Sequence, residues 1–148
     1  MKNHFLKILL AAMVILVAAC SVSGGGEEQP KPTPPKPPEQ GKTTVIGRAL
    51  DRESRQPLAG TLIKLAEVVR QGDEGAYVLD TFFSPGATTD NNGFFIVENI
   101  PAGEYVLVVG NVETVYEIIE DESGRARVWK ADADKILDMG EITADLSQ

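Results

Sequence analysis

Few side chains in this sequence could carry covalent or metal chemistry. The 148 residues include one cysteine, Cys20, and one histidine, His4. A lone cysteine cannot form a disulfide within the chain. A serine or cysteine hydrolase needs a histidine beside its nucleophile, and most zinc sites use histidine or several cysteines. The positions of these two residues therefore decide much of the available chemistry.

Residues 1–19 have the organisation of a secretory signal segment. Lys2 and Lys7 precede or adjoin an uninterrupted apolar stretch over residues 8–19. A mature transmembrane helix needs about 20 apolar residues, so this stretch is short for one. A basic start, a short apolar centre and small residues at the end are typical of a cleaved signal. We therefore predict a signal peptide over residues 1–19, and its removal takes His4 with it.

Cys20 follows this segment directly, in the sequence VAAC. An aliphatic residue, two small residues and a cysteine resemble the lipobox of bacterial lipoproteins. The resemblance implies a diacylglyceryl group on the Cys20 thiol, cleavage just before it, and acylation of its freed amine, for example by palmitate. Each buried CH₂ contributes about 0.8 kcal/mol, and stable attachment takes at least two chains. The alternative is an ordinary signal peptide that leaves Cys20 as a free thiol.

A flexible and then proline-rich stretch follows, and we predict a linker over residues 20–42. The part QPKPTPPKPPE has six prolines in eleven residues. Such a segment favours the extended polyproline II form at about 3.1 Å per residue, or roughly 34 Å in all. It predicts a semi-rigid spacer that holds a domain away from a surface. Because it contains P-x-x-P, the alternative is a ligand for a proline-recognising domain.

Residues 43–148 carry the pattern of an all-β domain. Short β-prone runs alternate with turn residues, and helical periodicity is poor. About seven or eight strands with regular turns predict an antiparallel two-sheet β-sandwich. The Asn-Gly pair in TTDNNGFFIV predicts a tight hairpin, and EDESG predicts a second one. A domain of this size buries about two-thirds of its unfolded surface, so it needs no disulfide or metal to fold.

The segment VIGRALDRESRQPLAGTLIKL, with TTDNNGFFIVENIPAGEYVLVV further on, resembles the carboxypeptidase regulatory-like domain. That family is a prealbumin-like (transthyretin-like) β-sandwich, and the resemblance implies this fold and an accessory role with no zinc-ligand set. It covers residues 45–109 by motif and the remainder by strand pattern only. The matching positions are Gly47, Pro57, Leu58, Gly60, Asp90, Gly93, Phe95, Pro101, Gly103 and Tyr105.

Charge and composition narrow the classes of function. The chain has 14 basic and 22 acidic residues and a formal net charge of −8. Nucleic acid is a poor partner for such a chain, since neutralising phosphates needs a basic patch. The acidic balance is typical of ordinary solubility charge, with recognition of a basic partner as the alternative. Without histidine or a free thiol in the mature chain, we expect no enzyme activity and no cofactor.

Two acidic stretches raise the question of calcium, which prefers hard oxygen ligands. Residues 90–93 read DNNG, and Asp132 and Asp134 lie two positions apart. The first stretch lacks the full twelve-residue loop with its terminal glutamate. Asp and Asn at turns also hydrogen-bond their own backbone. We therefore expect structural turns and no metal site, and calcium binding stays open as the alternative.

The last candidate feature is apolar surface. Strand alternation places Phe95 on one face, and Phe94 and Ile96 on the other. Trp129, the single tryptophan, could anchor an interface. We expect the longer segment over residues 69–86 to fold over Phe94 and Ile96 and hide them, because soluble monomers rarely expose large apolar patches. If it does not, Phe94, Ile96 and Trp129 form the predicted partner-binding site.

The sequence thus predicts a membrane-anchored extracytoplasmic lipoprotein of the cell membrane or outer membrane. Its β-sandwich is expected to serve as a non-catalytic binding module for protein or carbohydrate contact, or in cell-envelope structure. Ser21, next to the anchor, is compatible with export to an outer membrane. The rival function is a lipoprotein that captures a small solute or calcium, which needs a concave pocket.

Overall fold

The computed structural model describes residues 34–72 and 74–147. Cys20, the predicted signal peptide and most of the predicted linker lie outside these residues. Within them no helix has the length and apolar character needed to cross a bilayer. The described residues form nine strands: β1 (Lys42–Asp51), β2 (Leu62–Gln71), β3 (Glu74–Val78), β4 (Gly86–Thr88), β5 (Phe94–Pro101), β6 (Gly103–Gly110), β7 (Tyr116–Ile118), β8 (Val128–Ala131) and β9 (Lys135–Ala144).

The strands form two sheets, which confirms the predicted all-β sandwich. One sheet has three strands in the order β5-β1-β9. Its β1–β5 pair is antiparallel, but its β1–β9 pair is parallel. A purely antiparallel arrangement was the expectation. The parallel pair is compatible with the chain path, because β9 enters this sheet by crossing over from β8 in the other one.

The second sheet has six strands built around the antiparallel pair β2–β6. On one side of β2, β4 pairs with its first residues and β3 with its last. On the far side of β6, β8 pairs with its first half and β7 with its end. Each edge of this sheet is therefore formed by two short strands with a loop between them. The loop between β3 and β4 spans residues 79–85, and the loop between β7 and β8 spans residues 119–127.

The main core lies between the two sheets. Along β6, alternation turns Tyr105, Leu107 and Val109 inward, and all three are buried. They meet Phe95 and other inward residues of the three-stranded sheet. A smaller apolar cluster on the outer face of the six-stranded sheet consists of Ala66, Val106 and Val108, with Val68, Leu79, Val112, Ile118 and Ala126 packed around it.

The turn at Asp90–Gly93 was predicted to join two strands that pair with each other, and that prediction is wrong. β4 before the turn pairs with β2, whereas β5 after it pairs with β1. The turn therefore carries the chain from one sheet to the other. Gly93 has a φ of 80°, and the backbone carbonyl of Ala49 fills the place where a Cβ would stand. A tight turn was correctly predicted, but local sequence does not specify which strands pair across it.

The second predicted hairpin, at EDESG, is confirmed as a turn, but the strands on its two sides, β7 and β8, both pair with β6 and not with each other. Glu120 and Ala126 form an antiparallel bridge. The Asp121 N–H donates to the Arg125 carbonyl at 2.7 Å. The Asp121 carboxylate also accepts hydrogen bonds from Ser123, and these bonds lower the pKa of Asp121.

Contacts with the sandwich begin before β1. The Glu39 N–H donates to Asn99 Oδ1 at 2.9 Å, and the Gly41 N–H donates to Asp134 Oδ1 at 2.6 Å. Asn99 and Asp134 both have positive φ angles, 55° and 61°. The last residues of the predicted linker are therefore hydrogen-bonded to the ends of β5 and β9 and define where the chain enters the domain.

Candidate functional site

The most exposed large apolar side chains in the described residues are Phe82 and Phe83, at 88% and 86% exposure. They lie side by side in loop 79–85. The run YVLDTFF has the composition of a strand, but β3 ends at Val78. The reason is Asp80, whose carboxylate competes for the backbone N–H groups that a continuing strand would use.

Loop 79–85 is closed by its own hydrogen bonds. Asp80 Oδ1 accepts from the N–H of Phe82 at 2.8 Å and of Phe83 at 3.0 Å. Ser84 Oγ accepts from the Asp80 N–H at 2.8 Å, and the Ser84 N–H donates to the Asp80 carbonyl at 3.0 Å. The N–H groups of Phe83 and Phe82 lower the pKa of Asp80, so the loop is held by a charged acceptor. The two rings are presented by an ordered turn.

A hollow of about 190 Å³ lies beside the Phe82 ring. Its apolar lining comes from Leu62, Leu79 and Val112. Lys64 also lines it, and the Nζ of Lys64 donates to the Ser84 carbonyl at 3.0 Å, which fastens the loop to β2. We call this hollow together with Phe82 and Phe83 the Phe82–Phe83 site.

The Phe82–Phe83 site and the point of chain entry lie at opposite ends of β6. Lys42 pairs with Pro101, two residues before β6 begins. The hollow is lined by Asn111, Val112 and Glu113, which directly follow the end of β6. Eight strand residues separate these ends by roughly 26 Å.

Phe94 and Ile96 lie on the outer face of the three-stranded sheet and are half-buried. The longer segment over residues 69–86 does not cover them, because its strands pair with β2 in the other sheet. The expectation that this segment hides them is therefore wrong. Part of the cover over Phe94 is the guanidinium of Arg48, which stacks 5.1 Å from the ring centre.

Trp129 lies in the core between the sheets and is 7% exposed. It sits on β8 with its side chain on the inward face, next to Tyr105 in the β6 register. The guanidinium of Arg127 lies 4.6 Å from the centre of its ring. The structure thus separates Trp129 from Phe94 and Ile96, which face outward from the other sheet.

The acidic residues considered for calcium are engaged in local structure. Asp90 Oδ1 accepts the N–H groups of Asn92 and Phe94 at 2.8 and 2.9 Å. Asp132 pairs with Lys135 at 3.3 Å and Lys130 at 3.5 Å, and hydrogen bonding and charge from Lys135 lower its pKa. Within residues 34–72 and 74–147, no three acidic side chains lie close enough to share a metal ion.

A second hollow, of about 380 Å³, is polar. Arg52, Glu117 and Arg127 are among its lining residues. Its charges are partly internal pairs, since Arg52 pairs with Glu117 and Glu117 also accepts the Asp145 N–H at 2.7 Å. These groups hold the ends of β1, β7 and β9 together.

Residue-level reasoning missed the Phe82–Phe83 site. The run YVLDTFF has the composition of a strand, and in a strand one of Phe82 and Phe83 would face away from the core. The usable signal was Asp80 with Ser84 four positions later, because Asp and Ser in this spacing close a turn with their side chains. Two aromatic residues inside such a turn have no sheet face on which to pack.

The fold defines an all-β sandwich of a three-stranded and a six-stranded sheet. No protein-family profile matches the chain. No curated protein matches it either. Similarity is found only among solved structures, and it is distant.

Three of these structures are a 9R-lipoxygenase from Cyanothece PCC8801, the major pilin subunit of Bacillus cereus, and the dioxygenase domain of a dioxygenase carbohydrate-binding protein fusion from Streptomyces sp. SirexAA-E. Their identities are 20%, 14% and 18%, with TM-scores of 0.45, 0.43 and 0.45. The matches cover 80%, 69% and 81% of this chain and 19%, 29% and 96% of those chains. The chain thus spans about a fifth of the lipoxygenase. At this distance the comparisons carry no argument about function.

Proposed function

We propose that this protein is a lipid-anchored, extracytoplasmic β-sandwich module that contacts another component of the cell envelope and catalyses no reaction. In this proposal Cys20 carries the anchor, residues 20–42 are the spacer, and residues 43–148 are a carboxypeptidase regulatory-like domain. The observation that carries it is the ordered exposure of Phe82 and Phe83 at the end of β6 that lies away from Lys42.

This arrangement suits a tethered binding module. A spacer that joins the sandwich near Lys42 would leave the Phe82–Phe83 site pointing away from the anchoring membrane. The hydrogen bonds of Glu39 and Gly41 to the domain fix the direction in which the chain leaves it. The exposed rings are then available to a partner that lies farther from that membrane.

The proposed absence of catalysis is supported by the composition of the domain and by the carboxyl groups of its turns. Residues 34–147 contain no histidine and no cysteine. The lowered pKa values of Asp51, Asp80 and Asp121 come first from hydrogen bonds within their own turns. General acid catalysis at neutral pH needs a raised carboxyl pKa, so these groups are poor candidates for it.

The anchor is tested by labelling cells that produce the full chain with an alkyne analogue of palmitate. The expected result is labelling of the wild-type chain, recovery in the membrane fraction, and a mature N-terminus at Cys20. Cys20→Ala is the matched variant, and it should lose the label and the membrane association together. An unlabelled wild-type protein released into the medium would contradict the proposal.

A further inference from the structure

We propose that Phe82 and Phe83 form a two-ring plug that inserts into an apolar pocket of a protein partner whose pocket rim carries lysine or arginine. The partner is an envelope protein, and that part rests on the proposed function. The docking chemistry itself rests on loop 79–85 and its surroundings.

The exposed rings of Phe82 and Phe83 offer a large apolar area to a partner. Each phenylalanine can bury about 150–250 Å² at an interface, and both rings are almost fully exposed. They are also adjacent, so one partner pocket can take both. Neighbouring aromatic side chains that remain in water are unusual for a monomer and mark a contact site.

Loop 79–85 is already held in one conformation by its own hydrogen bonds. The Asp80 carboxylate holds the backbone of both phenylalanines, and Ser84 closes the turn behind them. A loop already held in one shape loses less conformational freedom when it binds. The hollow beside Phe82 also offers a place for an apolar side chain of the partner.

The polar groups around the two rings favour a protein pocket over a glycan. Sugar recognition needs polar groups that are free to hydrogen-bond beside the aromatic rings. Here Asp80 and Ser84 bond to each other's backbone and to the loop, and Asn111 Oδ1 accepts the Glu113 N–H at 2.9 Å. These polar groups are engaged, and Thr81 and Glu113 are the polar side chains of the lining that have no hydrogen bond among the described residues, so apolar contact is the larger part of the interaction on offer.

The negative charge around loop 79–85 favours a partner pocket with basic residues at its rim. Glu113 lines the hollow, the Asp80 carboxylate is bonded to the backbone N–H groups of Phe82 and Phe83, and the chain as a whole carries −8. Lys64 is the cation in the lining of the hollow, and the carboxylates of Asp80 and Glu113 outnumber it. A second copy of this chain or an anionic membrane would meet like charge. A pocket rimmed by lysine or arginine would meet complementary charge.

The experiment places a photo-crosslinker in the full chain in its own host. Phe83→p-benzoylphenylalanine is compared with Tyr77→p-benzoylphenylalanine, because Tyr77 is also aromatic and 43% exposed but lies on β3. After irradiation, mass spectrometry identifies the molecule and the residue that form the adduct. The expected adduct from position 83 is on apolar residues of one protein, flanked by lysine or arginine, with little from position 77.

Affinity for that protein is then measured with purified full-length chains in detergent. Phe82→Ser and Phe83→Ser should each weaken binding by about tenfold or more. Raising sodium chloride from about 0.05 to about 0.5 M should weaken it several-fold, because the rim charges are screened. Ile136→Ser, at an exposed apolar residue of β9 on the other sheet, should leave the affinity unchanged.

Several results would overturn the plug. These are adducts on lipid, on glycan or on a second copy of the chain, equal adducts from positions 77 and 83, no adduct from position 83, or affinity insensitive to salt. The wild-type chain separates the two proposals. A wild-type chain without the lipid label that still gives the adduct from position 83 refutes the anchored function alone, whereas a labelled, membrane-bound chain without an adduct refutes the plug alone.

Discussion

Gly47 and Phe95 face each other across the paired strands β1 and β5, and the Phe95 ring occupies the space that a side chain at Gly47 would need. A Cβ at Gly47 would lie 2.6 Å from Cζ of the ring. The glycine therefore lets a buried ring lie flat over its neighbouring strand. The role of both residues here is packing.

Gly47→Ala should lower the free energy of unfolding by about 1–3 kcal/mol, because the Phe95 ring is buried and has little room to move. Gly103→Ala is the matched control, since a Cβ there would meet Tyr105 at an ordinary 3.6 Å. Urea unfolding followed by Trp129 fluorescence measures both variants. Equal stability of the two variants would show that the Phe95 ring can move aside without lowering the free energy of unfolding.

Thr89 and Thr44 are both buried, but their hydroxyl groups differ. Thr89 Oγ1 donates to the Leu58 carbonyl at 2.5 Å and accepts the Thr61 N–H at 2.8 Å. Thr89→Val leaves these two backbone groups without their partner, so it should lower the free energy of unfolding by about 1–3 kcal/mol.

Thr44→Val is the control, because Thr44 Oγ1 has no hydrogen-bond partner among the described residues. That substitution should leave the free energy of unfolding unchanged or raise it. Thermal and urea unfolding of the two valine variants give the comparison. A loss at position 44 as large as that at position 89 would contradict this interpretation.

The order of loop 79–85 should depend on pH in the acid range. The pKa of Asp80 is lowered by the N–H groups of Phe83 and Phe82, so the ionised form is favoured in the folded loop. The contribution of the carboxylate is complete above the pKa of a free aspartate, about 3.9, and is lost as the pH falls through the lower folded value. NMR shifts of the Phe82 and Phe83 amides, followed from about pH 6 to about pH 2, measure this change.

Asp80→Asn provides the control for that titration, because the amide keeps an acceptor oxygen but no ionisable group. The acid-dependent shift of both amides should disappear in this variant. A transition in the wild-type loop at or above the pKa of a free aspartate would be inconsistent with the hydrogen bonds described for Asp80.

Trp129 should contribute to stability and not to partner binding. It is 7% exposed within the core, so Trp129→Ala should lower the free energy of unfolding by about 3–5 kcal/mol. The milder Trp129→Phe variant keeps most of the packing and should bind the partner of the Phe82–Phe83 site with unchanged affinity. Circular dichroism during thermal unfolding and the crosslinking assay measure the two effects. Loss of crosslinking in a stably folded Trp129→Phe chain would return Trp129 to the partner site.

The sequence by itself determined the class of fold and the positions of the main turns. The strongly apolar run EYVLVVG indicated a strand, and Tyr105, Leu107 and Val109 do share the inward face. The turns at Asp90–Gly93 and residues 121–125 were also predictable, because Asp and Gly at turns act through their own backbone. The anchor at Cys20 likewise stays a prediction from sequence.

Only the tertiary structure decided which strands pair and which apolar side chains remain exposed. The parallel pairing of β9 with β1 and the crossing between sheets at Gly93 depend on contacts between residues far apart in the chain. Phe94 and Phe82 both look like surplus aromatic residues in the sequence. Arg48 stacks on the first, whereas Asp80 and Ser84 hold the second in a loop away from either core. Composition does not distinguish these outcomes, because burial depends on what the rest of the chain brings alongside.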